Sequence, residues 1–278
     1  MAEVAQPGAS RGPKLPAGFT RQEYDVNGVR TVVYVGGKGR PVVYWHGAGS
    51  WHGFDFAADW LEHCQVIATS HPGWGESADA PPDMNTMQDY VLHYADLFDA
   101  MGLKQFDLIG ASMGGWMAAE FAVTYPERVR KLVLVAAAGL PDPANPPPPG
   151  LGKWTLEEMY GFLVEDLDTL KRHLPTTPAE RAAHEAQVDR DSKAAGRFLA
   201  APTGPVNPKL ETWLHRLKMP TLVVWSKTDR LTPVGRHEKW ARLLPDARVK
   251  LVEGAGHLTL DESPEAREAV LKFLTLAA

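Results

Sequence analysis

Apolar and polar positions change period several times along the chain, and the changes mark its elements. Thr20 to Val26 and Arg30 to Val35 read as two short strands either side of Asn27-Gly28, a pair suited to a tight hairpin. The next runs differ in kind. Pro41-Val42-Val43-Tyr44-Trp45, Gln65 to Ser70, Phe106-Asp107-Leu108-Ile109, Val129 to Ala137 and Thr221 to Ser226 are almost continuously apolar, as strands covered on both faces must be. Arg248 to Val252 is the last strand of the series. Helical segments fall between them: Thr86 to Met101, closed by Gly102; Met113 to Tyr125, stopped by Pro126; and Pro264 to Leu276 at the end. This alternation predicts an α/β architecture, a mostly parallel central sheet flanked by helices, whose ligands bind at the carboxyl ends of the strands.

One stretch breaks the alternation. Leu140 to Asn145 and Pro146-Pro147-Pro148-Pro149 cannot be helix or interior strand, and they predict a semi-rigid extended connector. From Trp154 to Leu217 there is no strand pattern, only helical stretches near Leu156–His173, Pro178–Leu199 and Pro208–Leu217. The expected organisation is a core of residues 19–140 and 218–278 with an inserted helical cap over 141–217. Within the cap, Trp154, Met159, Tyr160, Phe162 and Trp213 are pocket candidates, weighed against plain packing onto the core.

Composition narrows the function. A net charge of -5 with 23% charged residues carries no electrostatic footprint for nucleic acid, so no such partner is expected. The single cysteine, Cys64, excludes an intramolecular disulfide framework and a cysteine-based zinc cluster, and it reads as a small buried hydrophobe. Residues 1–18 are rich in Ala, Pro and Gly and read as a disordered tail without a membrane-spanning run, which points to a cytoplasmic protein with no membrane partner.

Candidate chemistry centres on Gly110-Ala111-Ser112-Met113-Gly114-Gly115, entered by a strand and left by a helix. A serine on such a turn takes a strained backbone that lifts its hydroxyl out of the sheet, and the glycines two residues either side make room for the chain to pass. Ser112 is the candidate nucleophile, against the plainer possibility of an incidental serine in a glycine-rich turn. The third strand ends in His46-Gly47-Ala48-Gly49-Ser50-Trp51, where freed backbone amides can face an oxyanion; Ala48 N–H and Met113 N–H are the expected donors. Asp229 and His257 each lie in a loop after a later strand, which completes the order nucleophile, acid, base. His257 would take the serine proton and return it, while Asp229 would orient the imidazole. Gly47, Gly49, Trp51, Trp116, Met159 and Leu258 are expected to bind substrate.

Other titratable residues receive structural readings. His46 is expected to hold backbone, His52 to be solvated, and His71, in the loop His71 to Ser77, to lack the companions a metal ligand needs. Asp261 and Glu262 are expected to serve the N-terminus of the closing helix, leaving Asp229 as the acid.

Over the whole chain after the tail, the sequence resembles the α/β-hydrolase family. The motifs that carry the resemblance are His46-Gly47-Ala48-Gly49, His71-Pro72-Gly73-Trp74-Gly75-Glu76-Ser77, Gly110 to Gly115, Thr228-Asp229-Arg230 and Gly254-Ala255-Gly256-His257. The resemblance implies hydrolysis of a small-molecule substrate through an acyl-enzyme, no metal and no organic cofactor, and a cap that governs substrate choice. It disfavours the haloalkane dehalogenase and epoxide hydrolase branches, which carry aspartate where this chain has Ser112. Ser112-Met113-Gly114-Gly115 and Tyr125-Pro126-Glu127-Arg128 are similar to carbon–carbon hydrolases of aromatic ring-fission products, a group that usually has Asn at the Ala111 position and Trp at the Leu258 position. The expected order of activities is therefore carboxylic-ester hydrolase first, carbon–carbon hydrolase second and acyltransferase third, with a ligand-binding protein that keeps the fold as the alternative of a different class. Either a monomer or a homodimer is compatible with the sequence.

Overall fold

The computed structural model describes residues 15–150, 153–199 and 205–276. Its strands are β1 (Phe19–Val26), β2 (Val29–Gly36), β3 (Arg40–Trp45), β4 (Cys64–Thr69), β5 (Phe106–Ala111), β6 (Val129–Val135), β7 (Thr221–Ser226) and β8 (Ala247–Val252). They form one sheet in the order β1-β2-β4-β3-β5-β6-β7-β8. β1 and β2 pair antiparallel, β2 pairs antiparallel with β4, and every later pairing is parallel. The β1–β2 hairpin turns at Asn27 and Gly28, whose φ values of 53° and 83° are those a two-residue turn between twisted strands requires.

The helices are α1 (Met87–Ala100), α2 (Met113–Thr124), α3 (Leu156–Leu163), α4 (Asp168–Lys171), α5 (Pro178–Leu199), α6 (Leu210–Trp213), α7 (Arg236–Leu243), α8 (Thr259–Glu262) and α9 (Pro264–Thr275). The period of two along the strands divides the core. Val43 and Trp45 of β3 pack on one face with Tyr94 and Phe98 of α1 and Phe121 of α2, while Val42 and Tyr44 pack on the other with Trp60 and Phe273 of α9. Both faces are covered, which is why these strands are mostly apolar. α1 starts at a capping box, with the Thr86 amide donating to Asp89 at 2.7 Å and the Asp89 amide returning to the Thr86 hydroxyl at 3.3 Å. Of the segment expected to be disordered, residues 1–14 lie outside the described residues.

Between β6 and β7 the chain is helical, with two departures from the sequence reading. The helix expected over Leu156–His173 is two helices, α3 and α4. Val164 between them is extended, and the Glu262 carboxylate accepts the amides of Glu165 and Asp166 at 3.0 and 2.8 Å, supplying partners a continuous helix would not need. The stretch Pro208–Leu217 holds only the single turn α6 and a 3-10 turn over Leu214–Arg216. The connector after β6 is tied down by Arg236, which donates to the carbonyls of Asn145 and Leu140 at 2.7 Å each. α7, which carries Arg236, has no counterpart in the sequence reading, because its buried side chains are only Arg236 and Trp240 and leave little apolar pattern. α5 is fastened to the loop after β4: Arg190 donates to the Ser77 carbonyl at 2.6 Å and to Asp79 at 2.9 Å, and Arg197 to the Met84 carbonyl at 3.0 Å. Among the described residues, no helix is long and apolar enough to cross a membrane.

Candidate active site

Because β3 to β8 run parallel, the loops that leave them emerge along one edge of the sheet. Ser112 stands between β5 and α2 with φ 54° and ψ -116°, a conformation that a non-glycine residue keeps only where its surroundings enforce it. The enforcement is visible. The Ser112 amide donates to the Val135 carbonyl at 2.8 Å, and its carbonyl accepts the Ala138 amide at 3.0 Å, so β6 holds the turn from both sides. A side chain at Gly110 would strike the backbone of Gly114, one at Gly114 the carbonyls of Trp45 and His46, and one at Gly115 the Ala137 Cβ at 2.6 Å. The three glycines are the condition for α2 to start this close to β3 and β6.

His257 follows β8 and is 6% exposed; its Nδ1–H donates to Asp229 Oδ2 at 2.9 Å. Asp229, in the loop after β7, is itself held. Its Oδ1 accepts the amides of Leu231 and Thr232 at 2.9 and 2.8 Å, and its Oδ2 accepts the Thr232 hydroxyl at 2.6 Å. The Thr232 oxygen also lies 3.1 Å from His257 Nδ1. With Nδ1 protonated and engaged, Nε2 of His257 is left as the basic nitrogen. Sequence reasoning does not single out Thr232; its signal is the short spacing Asp229-x-x-Thr232 in a turn, a common pattern with many uses.

Gly47 approaches the serine so closely that a Cβ built on it lies 3.1 Å from Ser112 Cβ and 3.6 Å from Oγ. The loop it belongs to is pinned by side chains. His46 Nδ1–H donates to the Gly47 carbonyl at 2.8 Å, and the Trp74 indole to the Ala48 carbonyl at 2.8 Å. Below it, His71 Nε2–H donates to the His46 carbonyl at 3.1 Å, and Tyr94 O–H donates to His71 Nδ1. His71 Nδ1 accepts from Tyr94 and His46 Nε2 accepts the His71 amide at 3.4 Å, so both imidazoles must be neutral, and burial keeps them so, holding His71 down to about 4 and His46 well below the usual histidine range. Met113, as the first residue of α2, has an amide with no acceptor in its own helix.

The remaining expected residues divide. Trp51, Met159 and Leu258 share one cluster with Leu163, Val164 and Leu170, which joins α3 and α4 to the loops that hold Ala48 and His257. Gly49 lies against the Trp51 indole. Trp116 is buried, with its indole N–H on Glu120 at 2.9 Å and its ring 6.3 Å from Phe198 of α5. Trp154 stacks on Phe162 at 4.1 Å, and Trp213 is 40% exposed. His52 is a correction: expected in solvent, it is 5% exposed, with Nδ1 3.8 Å from Asp261. Asp261 is buried as well, and Arg172 of the segment after α4 approaches it at 3.7 Å. The helical segment closes over this loop and takes His52 out of water, which no local pattern could signal. Among the described residues, no group of three or more His, Cys, Asp or Glu side chains could hold a metal ion.

Residues 40–264 match the family model described as alpha/beta hydrolase fold. Among curated relatives, the chain is 28% identical over 287 residues to the 2-hydroxy-6-oxo-6-(2'-aminophenyl)hexa-2,4-dienoic acid hydrolase of Metapseudomonas resinovorans, an alignment covering 95% of this chain and 94% of that protein. It is 33% identical over 251 residues to the 2-hydroxy-6-oxononadienedioate/2-hydroxy-6-oxononatrienedioate hydrolase of Burkholderia vietnamiensis, covering 82% and 83%. Among solved structures, a membrane phospholipase A described as a bacterial virulence factor superposes with a TM-score of 0.79 at 26% identity, over 93% of this chain and 86% of that one. A serine hydrolase involved in carbazole degradation superposes with a TM-score of 0.76 at 23% identity, over 93% and 100%.

Proposed function

The chain belongs to the alpha/beta hydrolase fold family, and from that premise we propose that it is a serine hydrolase whose substrate is a small dienone acid of the kind left by cleavage of an aromatic ring. The observation that carries the chemistry is the 2.9 Å bond from His257 Nδ1 to Asp229, with Ser112 raised on its strained turn along the same sheet edge. On this reading Ser112 Oγ bonds to the ketone carbon while its proton passes to Nε2 of His257. Negative charge moves to the ketone oxygen, where the Ala48 and Met113 amides receive it. The carbon–carbon bond then breaks as the His257 proton is delivered to the departing carbon, the bonding pair becoming the new C–H bond of the enol acid while the ketone carbonyl re-forms as the acyl-enzyme. Water, deprotonated by His257, releases the acyl group as a carboxylic acid and restores Ser112. Helices α3 to α6 act as the cap, with residues 141–217 covering a core of 19–140 and 218–278.

The substrate class rests on the curated relatives, which are named as hydrolases of 2-hydroxy-6-oxo dienoic acids and are matched over 94% and 83% of their lengths. This reverses the order expected from the sequence, in which the ester came first. The ester remains as a second reading on a specific ground: Ala111 and Leu258 stand where the ring-fission group usually has Asn and Trp, and one structural neighbour above 25% identity is a phospholipase.

The test is a direct comparison of kcat/KM for a ring-fission dienone acid, followed by loss of its visible absorbance, and for a p-nitrophenyl ester, in the wild type and Ser112→Ala. A preference of about 100-fold for the dienone acid, abolished by Ser112→Ala, supports the proposal. The same preference for the ester would restore the second reading, and turnover unchanged in Ser112→Ala would remove the serine from the mechanism.

A further inference from the structure

Asp191 is a carboxylate on the inward side of α5, 2% exposed, and none of the chemistry above uses it. Its Oδ2 accepts the Ser50 amide at 2.6 Å, and the Ser50 hydroxyl lies 2.9 Å from Oδ2 and 3.1 Å from Oδ1. Gln187, one turn earlier, donates to Oδ1 and reaches the Ser50 oxygen at 3.3 Å. The neighbouring Arg190 does not neutralise this carboxylate by an ion pair of its own; its guanidinium is bound to Asp79 and to the carbonyls of Gly75 and Ser77. Burial raises the Asp191 pKa to about 6, so keeping an ionised carboxylate here costs stability.

What that cost maintains is the grip of Asp191 on two loops, at Ser50 and at the Gly75 backbone after β4, and the first of these bears on the site. Ser50 is two residues beyond Ala48, and between Gly47 and Ser50 side chains hold three backbone groups: the Gly47 carbonyl by His46, the Ala48 carbonyl by Trp74, and the Ser50 amide by Asp191. The first two holders belong to the core loops. Of these three, the third comes from α5, so it ties the backbone of this loop to the seating of the helical segment. Resting on the reading of Ala48 as an oxyanion donor, we propose that Asp191 is a positioning residue of the hydrolase: by gripping Ser50 it holds the far end of the loop whose Gly47–Ala48 peptide His46 orients, and makes the alignment of the Ala48 amide depend on α5 being in place. A donor that acts on charge developing in the transition state changes kcat and leaves ground-state affinity nearly untouched.

The experiment uses the full chain as wild type, Asp191→Asn, Ser50→Ala and Ser112→Ala. Each is measured for kcat and KM on the substrate the wild type turns over, for the rate of covalent labelling by a fluorophosphonate, and for thermal melting. Asp191→Asn keeps the shape but places a donor among donors; kcat and the labelling rate are expected to fall together by about 10- to 100-fold, with KM within about threefold. Ser50→Ala keeps the amide bond and loses the hydroxyl contacts, and a fall in kcat of about 3- to 10-fold is expected at unchanged KM. Wild-type kcat in folded Asp191→Asn, or a raised KM at unchanged kcat, overturns the proposal. Should Asp191→Asn not fold, Ser50→Ala decides, and wild-type kcat in it overturns the proposal equally. A wild type that resists labelling, or a Ser112→Ala variant that labels, places the failure in the serine-hydrolase reading itself, and the role of Asp191 falls with it.

Discussion

His46 and Ala48 are related through one peptide plane. The His46 Nδ1–H bond to the Gly47 carbonyl fixes the peptide between Gly47 and Ala48, and in a trans peptide the amide points opposite to its carbonyl. The Ala48 N–H is therefore aimed by a histidine that never touches the reacting atoms, while Gly47 brings the same backbone against Ser112.

Removing that aim should slow the chemistry without weakening binding. On the proposed role of the Ala48 amide, His46→Leu is expected to lower kcat by about 10- to 100-fold with KM little changed, because one donor to the oxyanion loses its orientation. Steady-state kinetics on the preferred substrate checks this, and a KM effect larger than the kcat effect would mean that His46 shapes the pocket instead.

Asp229 meets four donors with two oxygens: His257, the Thr232 hydroxyl and the amides of Leu231 and Thr232. Asp229→Asn turns one oxygen into a donor facing donors, so kcat should fall by about 10⁴-fold, as when a triad imidazole loses control of its tautomer. Thr232→Val removes only the hydroxyl and should cost about 10-fold or less. Comparable losses in the two variants would shift the orienting role to Thr232.

The glycines around Ser112 and in α5 differ sharply in what they tolerate. A Cβ at Gly114 would run into the carbonyls of Trp45 and His46, at the end of an interior strand that cannot yield, so Gly114→Ala should destabilise by about 3 kcal/mol or more. Gly196, in α5, has open space where a methyl group would stand, with nothing within 4 Å, and Gly196→Ala should stabilise by about 0.5–1 kcal/mol. Thermal melts of the two variants test the contrast.

Acid should unfold the protein through its buried imidazoles. His71 and His93 are held down to about 4 by burial, below the ordinary value of 6.5 that they regain on unfolding. Between those values the unfolded chain binds more protons, so the stability present above about pH 6.5 drains away as pH falls toward 4; for fully buried His71 the loss approaches about 3 kcal/mol. His93, on α1, meets the Thr31 hydroxyl at 2.9 Å, away from Ser112 and its partners. Melting temperatures from pH 8 to pH 4 should therefore fall less steeply in His93→Gln than in the wild type, and parallel curves would exclude His93 as a contributor.

Much of this was legible in the chain itself, for reasons that are local. A strand buried on both faces is apolar at most positions, so β3 to β7 announce themselves, and a turn too tight for any side chain must be glycine, so Gly110, Gly114 and Gly115 mark the place of Ser112. The order of Ser112, Asp229 and His257 after three strands then follows from a parallel sheet, which delivers its loops to one edge. The tertiary structure decided what depends on residues meeting across the fold. Glu262 caps the amides of Glu165 and Asp166 and so ends α3, closure of the helical segment buries His52 beside Asp261, and Asp191 reaches Ser50 across 141 positions of sequence. Those contacts are made by ordinary polar residues whose partners are set by packing, and a polar side chain carries no period or spacing that names its partner in advance.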